Sequence, residues 1–196
     1  MGNANSLFYS EPLHIVRGED VWLYDAEGKK YLDVYNNVAH VGHSNPYVVE
    51  AITRQAKALN TNTRYLHENI VDLAEKITKL MPGELSVCYF VCSGSEANDL
   101  ALQIARIYTK KQGCLVSENA YHGNTTAVFQ MSPEDFAPET RQEWVHTLPS
   151  PIKYQQTDQA EGNYLKDLSF AMDNLDDIGV GTAAVIFDSI FSSDGI

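Results

Sequence analysis

The chain has 196 residues, a length that suits one domain or one and a half, with a sizeable core. Hydrophobic residues make up 44% of the chain and charged residues 20%, a composition that excludes disorder of the whole chain. The net charge of −12 comes without a basic stripe, and no apolar run approaches the roughly 20 residues that cross a bilayer, so neither nucleic acid nor membrane is an expected partner. The three cysteines, odd in number and without a CxxC motif, predict reduced thiols in a cytoplasmic protein and no metal site.

The first forty residues predict a β-meander. Three short runs rich in aromatic and β-branched residues, HIVRG, VWLYD and KKYLDVY, are separated by glycine-containing turns. Two helices are predicted next. The first begins at Asn45-Pro46, which supplies an N-cap and a proline at the first helical position, and it extends to about residue 59. The second covers about 67–81 and ends at a Pro-Gly pair.

The rest of the chain alternates between strand and helix patterns. Helices are predicted over 95–111 and 164–178. The predicted strands are SVCYFVC (86–92), CLVSE (114–118), WVHTL (144–148) and TAAVIFDSIF (182–191). Because fully apolar strands that alternate with helices are buried on both faces, the pattern predicts a parallel α/β sheet. Much of the acidic segment 131–163 is expected to be surface loop.

The strongest local signal is the glycine turn in VCSGSEAN, between the first of these strands and the following helix. The backbone N–H groups around Gly94 and Ser95 would lie at a helix N-terminus, where unpaired donors and the macrodipole favour a phosphate. A plain capping box formed by Ser93 and Glu96 is an alternative that needs no ligand. A dinucleotide site is a rival, with Glu118 as the ribose-binding acid, although the turn has one glycine where that motif has three.

Two further positions follow predicted strands at their carboxyl ends, the edge where α/β sheets bind ligands. Tyr121 in AYHG could stack on a flat cofactor ring and His122 could supply a polar contact, although a half-buried tyrosine at a strand end needs no ligand. Asp188 interrupts the last apolar strand. A buried carboxylate needs a partner, which a cofactor site could provide, and capping of the next turn is an equal alternative.

Together these segments resemble the class III pyridoxal-phosphate-dependent aminotransferases, over nearly the whole chain. The resemblance rests on DAEGKKYLD, VGHSNP, VCSGSEANDLALQIAR, AYHG and the acid on the fourth strand. The stretches YNNVAHVGH, LNTNTRYLH and NDLA look like one branch, the phospho-lyases acting on phosphorylated amino alcohols. The resemblance implies an aminotransferase-type enzyme acting on a small amine. The alternatives are a phospho-lyase that eliminates phosphate from an amino-alcohol phosphate, and a non-catalytic truncated or pseudoenzyme domain.

The resemblance also implies the architecture, an α/β domain of fold type I that is used as a homodimer. Residues 1–45 would be an N-terminal segment that contributes to the small domain, and 46–196 would be the first part of the large domain that binds the cofactor. In that fold the strand at 86–92 pairs with a last antiparallel strand, so here it would be an orphan edge, whereas the other three predicted strands are neighbours. We therefore expect Gly94 and Ser95 to be poorly placed against Tyr121.

The family's pattern assigns a role in binding pyridoxal 5′-phosphate to several residues. Gly94 and Ser95 match the residues that bind the cofactor phosphate. Tyr121 matches the residue stacked on the pyridine ring, and His122 is its neighbour in the pocket. Asp188 stands where the family usually has a glutamate near the cofactor. The phospho-lyase branch tends toward Glu-Ser followed by a glycine pair, so Asp188 and Asp194 are both departures from it.

Candidate contacts for the amine or amino-alcohol phosphate substrate come from the stretches that look like the phospho-lyases. They are Asn37 and Arg64, the latter because a guanidinium suits phosphate or carboxylate, although a solvated surface arginine is an equal alternative. The family's Schiff-base lysine, which anchors the cofactor and moves the substrate proton, is expected beyond Ile196. None of the nine lysines in the chain has the required context, so the chain by itself is expected to hold no catalytic residue and to be inactive.

Overall fold

The computed structural model describes four stretches of the chain, which are residues 9–35, 40–135, 140–155 and 160–194. The chain divides into two compact units, Met1–Leu73 and Ala74–Ile196. Each unit is described by itself below. The domain boundary predicted between residues 45 and 46 concerns the whole protein and stays a prediction. Within the described stretches, no helix has both the length and the hydropathy needed to cross a bilayer.

The first unit begins with the predicted meander, which is confirmed. Strands β1 (Ile15–Glu19), β2 (Trp22–Asp25) and β3 (Lys30–Leu32) form an antiparallel sheet in that order. The carboxylate of Asp25 holds the turn between β2 and β3, because it accepts hydrogen bonds from the N–H groups of Glu27 and Lys29 at 3.0 and 2.8 Å. Local side-chain acceptors of this kind are what favours aspartate in turns.

Two helices follow, close to the predicted positions. Helix α1 (Pro46–Ala58) is capped by the side chain of Asn45. Helix α2 (Glu68–Thr78) is shorter than predicted and extends across the division between the two units. It begins after His67, whose ring nitrogen Nδ1 accepts a hydrogen bond from the N–H of Asn69 at 3.2 Å. Neither helix has a fully buried residue, so both apolar stripes face open surface in this chain.

The second unit has the α/β alternation that the sequence predicts. Its helices are α3 (Gly94–Thr109), α4 (Thr126–Gln130) and α5 (Ala160–Asp177), and its strands are β4 (Gly113–Ser117), β5 (Val145–Leu148) and β6 (Thr182–Ile186). The strands are parallel, in the order β5-β4-β6. Every residue of the central strand β4 is buried. Because alternate side chains leave opposite faces of a strand, β4 supplies Val116 to one apolar cluster and Leu115 to another.

The expectation that 86–92 is an orphan edge, separated from the other three strands, is confirmed, and without a partner the stretch is not assigned as a strand. Residues 86–92 form no hydrogen-bonded ladder with any described part of the chain, and the side chains of Val87 and Tyr89 are exposed. An apolar run indicates a buried strand only when a second strand is present to accept and donate its backbone hydrogen bonds. The prediction that the other three strands are neighbours is confirmed.

Other differences concern short elements. Helix α4 and three 3-10 turns, at Pro133–Asp135, Pro151–Tyr154 and Ser192–Asp194, have no repeating pattern long enough to reveal them. The segment 131–163 is less exposed than expected, since it contains fully buried residues such as Met131 and Ser132. The last strand ends at Ile186 rather than 191, because the chain turns back at Asp188.

Candidate functional site

The glycine turn leads directly into helix α3, as predicted. The hydroxyl of Ser93 accepts a hydrogen bond from the N–H of Glu96 at 3.2 Å, and the Glu96 carboxylate accepts one from the N–H of Cys92 at 2.6 Å. These contacts resemble the capping box of the alternative interpretation. The difference is that Glu96 accepts from the N–H of Cys92, whereas in a capping box it would accept from the N–H of Ser93. In the described part of the chain, the N–H groups of Gly94 and Ser95 find no acceptor. Two donors at the positive end of a long helix therefore stay available to an anion.

The loop after β4 lies against this turn. The hydroxyl of Ser95 donates a hydrogen bond to the side-chain oxygen of Asn124 and accepts one from the N–H of Asn124, both at 3.0 Å. A β-carbon added to Gly123 would stand 2.4 Å from the Ser95 Oγ, so only glycine allows this approach. These contacts pack α3 on the loop that carries Tyr121, and the expectation that Gly94 and Ser95 are poorly placed against Tyr121 itself stays a prediction.

The same loop presents Tyr121 and His122. Tyr121 is 52% exposed. The backbone of His122 is held at both ends, because its N–H donates to the hydroxyl of Ser132 at 3.0 Å and its carbonyl accepts from the side chain of Asn98 at 2.8 Å. The loop is thereby tied to α3 and to the residue that follows α4.

The imidazole of His122 is half-buried and has one unpaired nitrogen. Its Nε2 atom is shielded from solvent and has no hydrogen-bond partner among the described residues. Burial lowers the pKa of His122, and the negative charges of Asp188 and Asp194 act against that shift. Burial therefore favours the neutral ring, which presents one unused nitrogen.

Asp188 is exposed and caps the turn that it begins. Its carboxylate accepts hydrogen bonds from the N–H of Ile190 at 3.0 Å and from the N–H and hydroxyl of Ser192 at 2.9 and 2.7 Å. These hydrogen bonds lower the pKa of Asp188 to about 2. These contacts are those expected if Asp188 caps the next turn. A role for Asp188 beside the cofactor stays a prediction.

The same edge of the sheet also has a buried polar cluster, which the sequence did not lead us to predict. Asp194, which is 8% exposed, accepts hydrogen bonds from the hydroxyl of Ser117 at 2.7 Å and from the side-chain amide of Asn119 at 3.1 Å. The carbonyl of Asp194 accepts a hydrogen bond from the hydroxyl of Ser150 at 3.2 Å. The available signal was the position of Ser117, Asn119 and Ser150 at the ends of β4 and β5, where polar side chains converge.

The other predicted residues are Asn37, Arg64 and Glu118. Arg64 belongs to the first unit and is exposed, and Asn37 lies outside the described residues, so their substrate contacts stay predictions. Glu118, the acid of the dinucleotide alternative, accepts the N–H of Ser150 at 3.0 Å and pairs with the ammonium of Lys153. Burial would raise the pKa of Glu118, but these two donors lower it. Its carboxylate is therefore used within the protein.

Comparison with known proteins gives these features a family. The profile described as "Aminotransferase class-III" matches residues 7–196. The chain belongs to the class III aminotransferase family. The recognition of this family from the sequence is confirmed.

Two curated members of the family carry names that point to different reactions. An "alanine--glyoxylate aminotransferase 2-like" protein of Drosophila melanogaster is 48% identical over 158 residues, which are 79% of this chain and 32% of that protein. "Ethanolamine-phosphate phospho-lyase homolog 1" of Caenorhabditis elegans is 40% identical over 169 residues, which are 84% of this chain and 36% of that protein. The chain thus spans about a third of these class III relatives.

A solved structure agrees with the phospho-lyase branch. A phospholyase from Arthrobacter in complex with phosphoethanolamine matches with a TM-score of 0.89 at 40% identity, over 97% of this chain and 46% of that one. The structural neighbours are pyridoxal-phosphate-dependent enzymes of fold type I, so the predicted fold class is confirmed for this part of a class III aminotransferase fold. The family implies pyridoxal phosphate as the cofactor.

Proposed function

We propose that this chain supplies the phosphate-binding and ring-facing side of a pyridoxal-phosphate site, in a class III enzyme that acts on a small amine. The observation that carries the proposal is the pair of unpaired N–H donors on Gly94 and Ser95, at the N-terminus of a helix that packs on the Tyr121–Asn124 loop. Donors at a helix N-terminus bind phosphate without a cationic side chain.

The residues at this edge fit the cofactor. A β-carbon added to Gly94 would find no atom within 4 Å, so there is free space in front of the turn for a phosphate. The hydroxyl of Ser95 gives its single hydrogen to Asn124, so the backbone N–H groups of Gly94 and Ser95 are the donors left for the phosphate. The exposed side chain of Tyr121 suits a flat heterocycle, and the unpaired Nε2 of His122 offers a polar contact at a buried atom.

Each residue has a task that its surroundings support. Gly94 and Ser95 would hold the phosphate, Tyr121 would orient the ring by stacking, and His122, whose neutral form burial favours, would contribute a hydrogen bond. Asp188 would contribute negative charge to the site. When bound, pyridoxal phosphate withdraws electrons from the substrate amine so that a proton can leave its α-carbon. The chain's own share is to bind and orient, since we assign no proton transfer to its residues.

For the whole protein we propose the phospho-lyase reaction first, with an amino-alcohol phosphate as substrate. Support comes from the match to a phospholyase in complex with phosphoethanolamine and from the 40% identity to a phospho-lyase homolog. The aminotransferase reaction is the second candidate, because the 48% identical relative is named as an aminotransferase-like protein. Asn37 and Arg64 are the proposed contacts for the substrate's anionic group.

The lysine that carries the cofactor is proposed to be none of the nine in this chain, so residues 1–196 alone are proposed to be inactive. We propose that the whole protein works as a homodimer and is cytoplasmic, although two curated aminotransferase relatives are named as mitochondrial. The alternative from another class is a non-catalytic or truncated domain with a role in assembly.

Two assays test the proposal. The whole protein, loaded with pyridoxal phosphate, is incubated with phosphoethanolamine alone and, separately, with an amine and a keto acid. Release of phosphate without an acceptor supports the phospho-lyase, and amino transfer without phosphate release overturns it in favour of the aminotransferase. Absence of both reactions favours the non-catalytic domain. In the second assay, residues 1–196 are treated with pyridoxal phosphate and borohydride. A single stoichiometric adduct on one buried lysine would contradict the proposed absence of the covalent lysine.

A further inference from the structure

The loop after β6 has two aspartates with different environments. The hydrogen bonds accepted by Asp188 come from Ile190 and Ser192 of the same loop. Those accepted by Asp194 come from Ser117 at the end of β4 and from Asn119 just beyond it, two residues about 75 positions away in the sequence. Asp188 therefore shapes the loop, whereas Asp194 attaches the loop to the sheet.

The attachment of Asp194 involves three segments at once. Its carboxylate meets the end of β4, and its carbonyl accepts the hydroxyl of Ser150, which follows β5. Its own N–H donates to the carbonyl of Phe191 at 2.9 Å and closes the last turn of the loop. A carboxylate that is 8% exposed is costly unless donors surround it, so the loop cannot leave this position without exposing or breaking these contacts.

We propose that Asp194 is a positioning residue that fixes the loop over residues 187–194 on the carboxyl ends of β4 and β5, and, through its hydrogen bond from Asn119, joins that loop to the one that carries His122. The proposal deepens the proposed function, because His122 and Asp188 belong to the same candidate site. We do not propose that Asp194 touches the cofactor. It acts by holding the loop in place and by the electrostatic effect of its charge.

The proposal can be tested through the pKa of His122. Among the described residues, Asp188 and Asp194 are the charged groups that act on the pKa of His122, and both oppose the lowering caused by burial. The charge of Asp194 also acts on the neighbouring Tyr164, whose pKa is raised mainly by burial. Removing the charge of Asp194 should therefore lower the pKa of His122 further, whereas a purely structural tie would leave that pKa unchanged.

The test uses the whole protein with Asp194→Asn, which keeps the shape of the side chain and removes its charge. Asp173→Asn on the exposed side of α5 is the matched control, because it removes the same charge elsewhere. The ring signals of His122, assigned with His122→Gln, are titrated by NMR in the cofactor-free and the loaded protein. We expect the pKa of His122 to fall by about 0.5 to 1 unit in Asp194→Asn, less than the 1–3 units of a direct contact pair, and to stay unchanged in Asp173→Asn.

An unchanged pKa of His122 in Asp194→Asn would overturn the proposal. If that variant does not fold, Asn119→Ala removes one donor and leaves the carboxylate in place. Amide hydrogen exchange in residues 187–194 should then accelerate about tenfold while exchange in α5 stays the same, and equal exchange in the loop would also overturn the proposal. Neither measurement depends on turnover. The proposed function can therefore fail in its own assays while this proposal stands, and the reverse.

Discussion

Gly123 lies so close to Ser95 that a β-carbon on Gly123 would stand 2.4 Å from the Ser95 hydroxyl oxygen and 2.9 Å from its α-carbon. This contact joins the loop after β4 to the first turn of α3. It brings together the two motifs, SGSEAN and YHG, that carry the family resemblance. The contact forms although residues 86–92 pair with no described strand.

Gly123→Ala should destabilise the protein by about 1–3 kcal/mol, because the new β-carbon collides with Ser95 and because a φ of +138° strains any other residue. The measurement is thermal or urea unfolding of the whole protein. Gly162→Ala, in the first turn of α5, is the control, since its β-carbon would meet no atom within 4 Å. That change should be neutral or stabilise by up to about 1 kcal/mol. Equal stability of the two variants would contradict the close approach.

Ser95→Ala and Ser93→Ala should separate cofactor binding from helix capping. Loss of the Ser95 hydroxyl removes both contacts to Asn124, which hold the loop after β4 against the proposed phosphate donors, so the affinity of the whole protein for pyridoxal phosphate should fall about five- to tenfold. Loss of the Ser93 cap should instead cost about 1 kcal/mol of stability and leave the N–H donors in place. Equilibrium dialysis and thermal unfolding measure the two effects. A larger loss of affinity in Ser93→Ala would indicate that the phosphate lies elsewhere.

We predict that the free energy of unfolding depends on pH through the carboxyl of Asp188. Hydrogen bonds from Ile190 and Ser192 lower its pKa to about 2, below the unfolded value of about 3.9. A lowered pKa stabilises the fold above the unfolded value, and this contribution is lost as the pH falls through the folded value. Unfolding measured between about pH 4 and pH 2 should therefore show a slope that Asp188→Asn reduces.

Two neighbouring serines serve as controls for that slope. Ser192→Ala removes a hydroxyl that donates to Asp188 at 2.7 Å, so part of the slope should disappear. Ser189→Ala changes an exposed hydroxyl of the same loop and should leave the slope as it is. The effect should be small, because Asp188 is exposed and solvent screens its charge. An identical slope in all variants would show that the turn does not depend on the charge of Asp188.

The cysteines should differ in their reaction with iodoacetamide. Cys114 is fully buried in β4, and burial raises the pKa of its thiol to about 12, so it should react only after unfolding. Cys92 is exposed beside the glycine turn and should react in the native protein. Peptide mapping by mass spectrometry measures both. Denatured protein is the control, in which the two should react alike; native labelling of Cys114 would contradict the buried position of β4.

Residues 1–196 alone should self-associate through the apolar stretch at 86–92. The side chains of Val87 and Tyr89 are 73% and 68% exposed, and no described strand pairs with this stretch. Tyr89→Lys should shift sedimentation toward the monomer, since a charge opposes pairing of edges. Tyr108→Lys on α3, which removes another exposed tyrosine, is the control. Equal shifts by both variants would indicate association driven by general surface hydrophobicity rather than by this stretch.

Local patterns in the sequence were sufficient for most elements and for the order of the motifs. The cap formed by Asn45, the turn at Gly94 and the apolar period of α3 are short-range features, because the interactions that produce them span three or four residues. Family membership also followed from the sequence, since SGSEAN and YHG occur in the expected order and spacing. Helix α4 and the 3-10 turns, however, are too short for an apolar period to appear in their sequences.

The tertiary structure decided the points that depend on contacts between distant residues. A run such as 86–92 reads as a strand by composition, but a strand requires hydrogen-bond partners from another segment, and none is present among the described residues. The contact of Gly123 with Ser95, and the burial of Asp194 against Ser117 from 77 positions away, arise from packing that no local pattern encodes. The sequence by itself therefore determined which chemistry-bearing residues exist and on which elements they lie, and the packing of α3 and of the last loop on the sheet decided which of them meet.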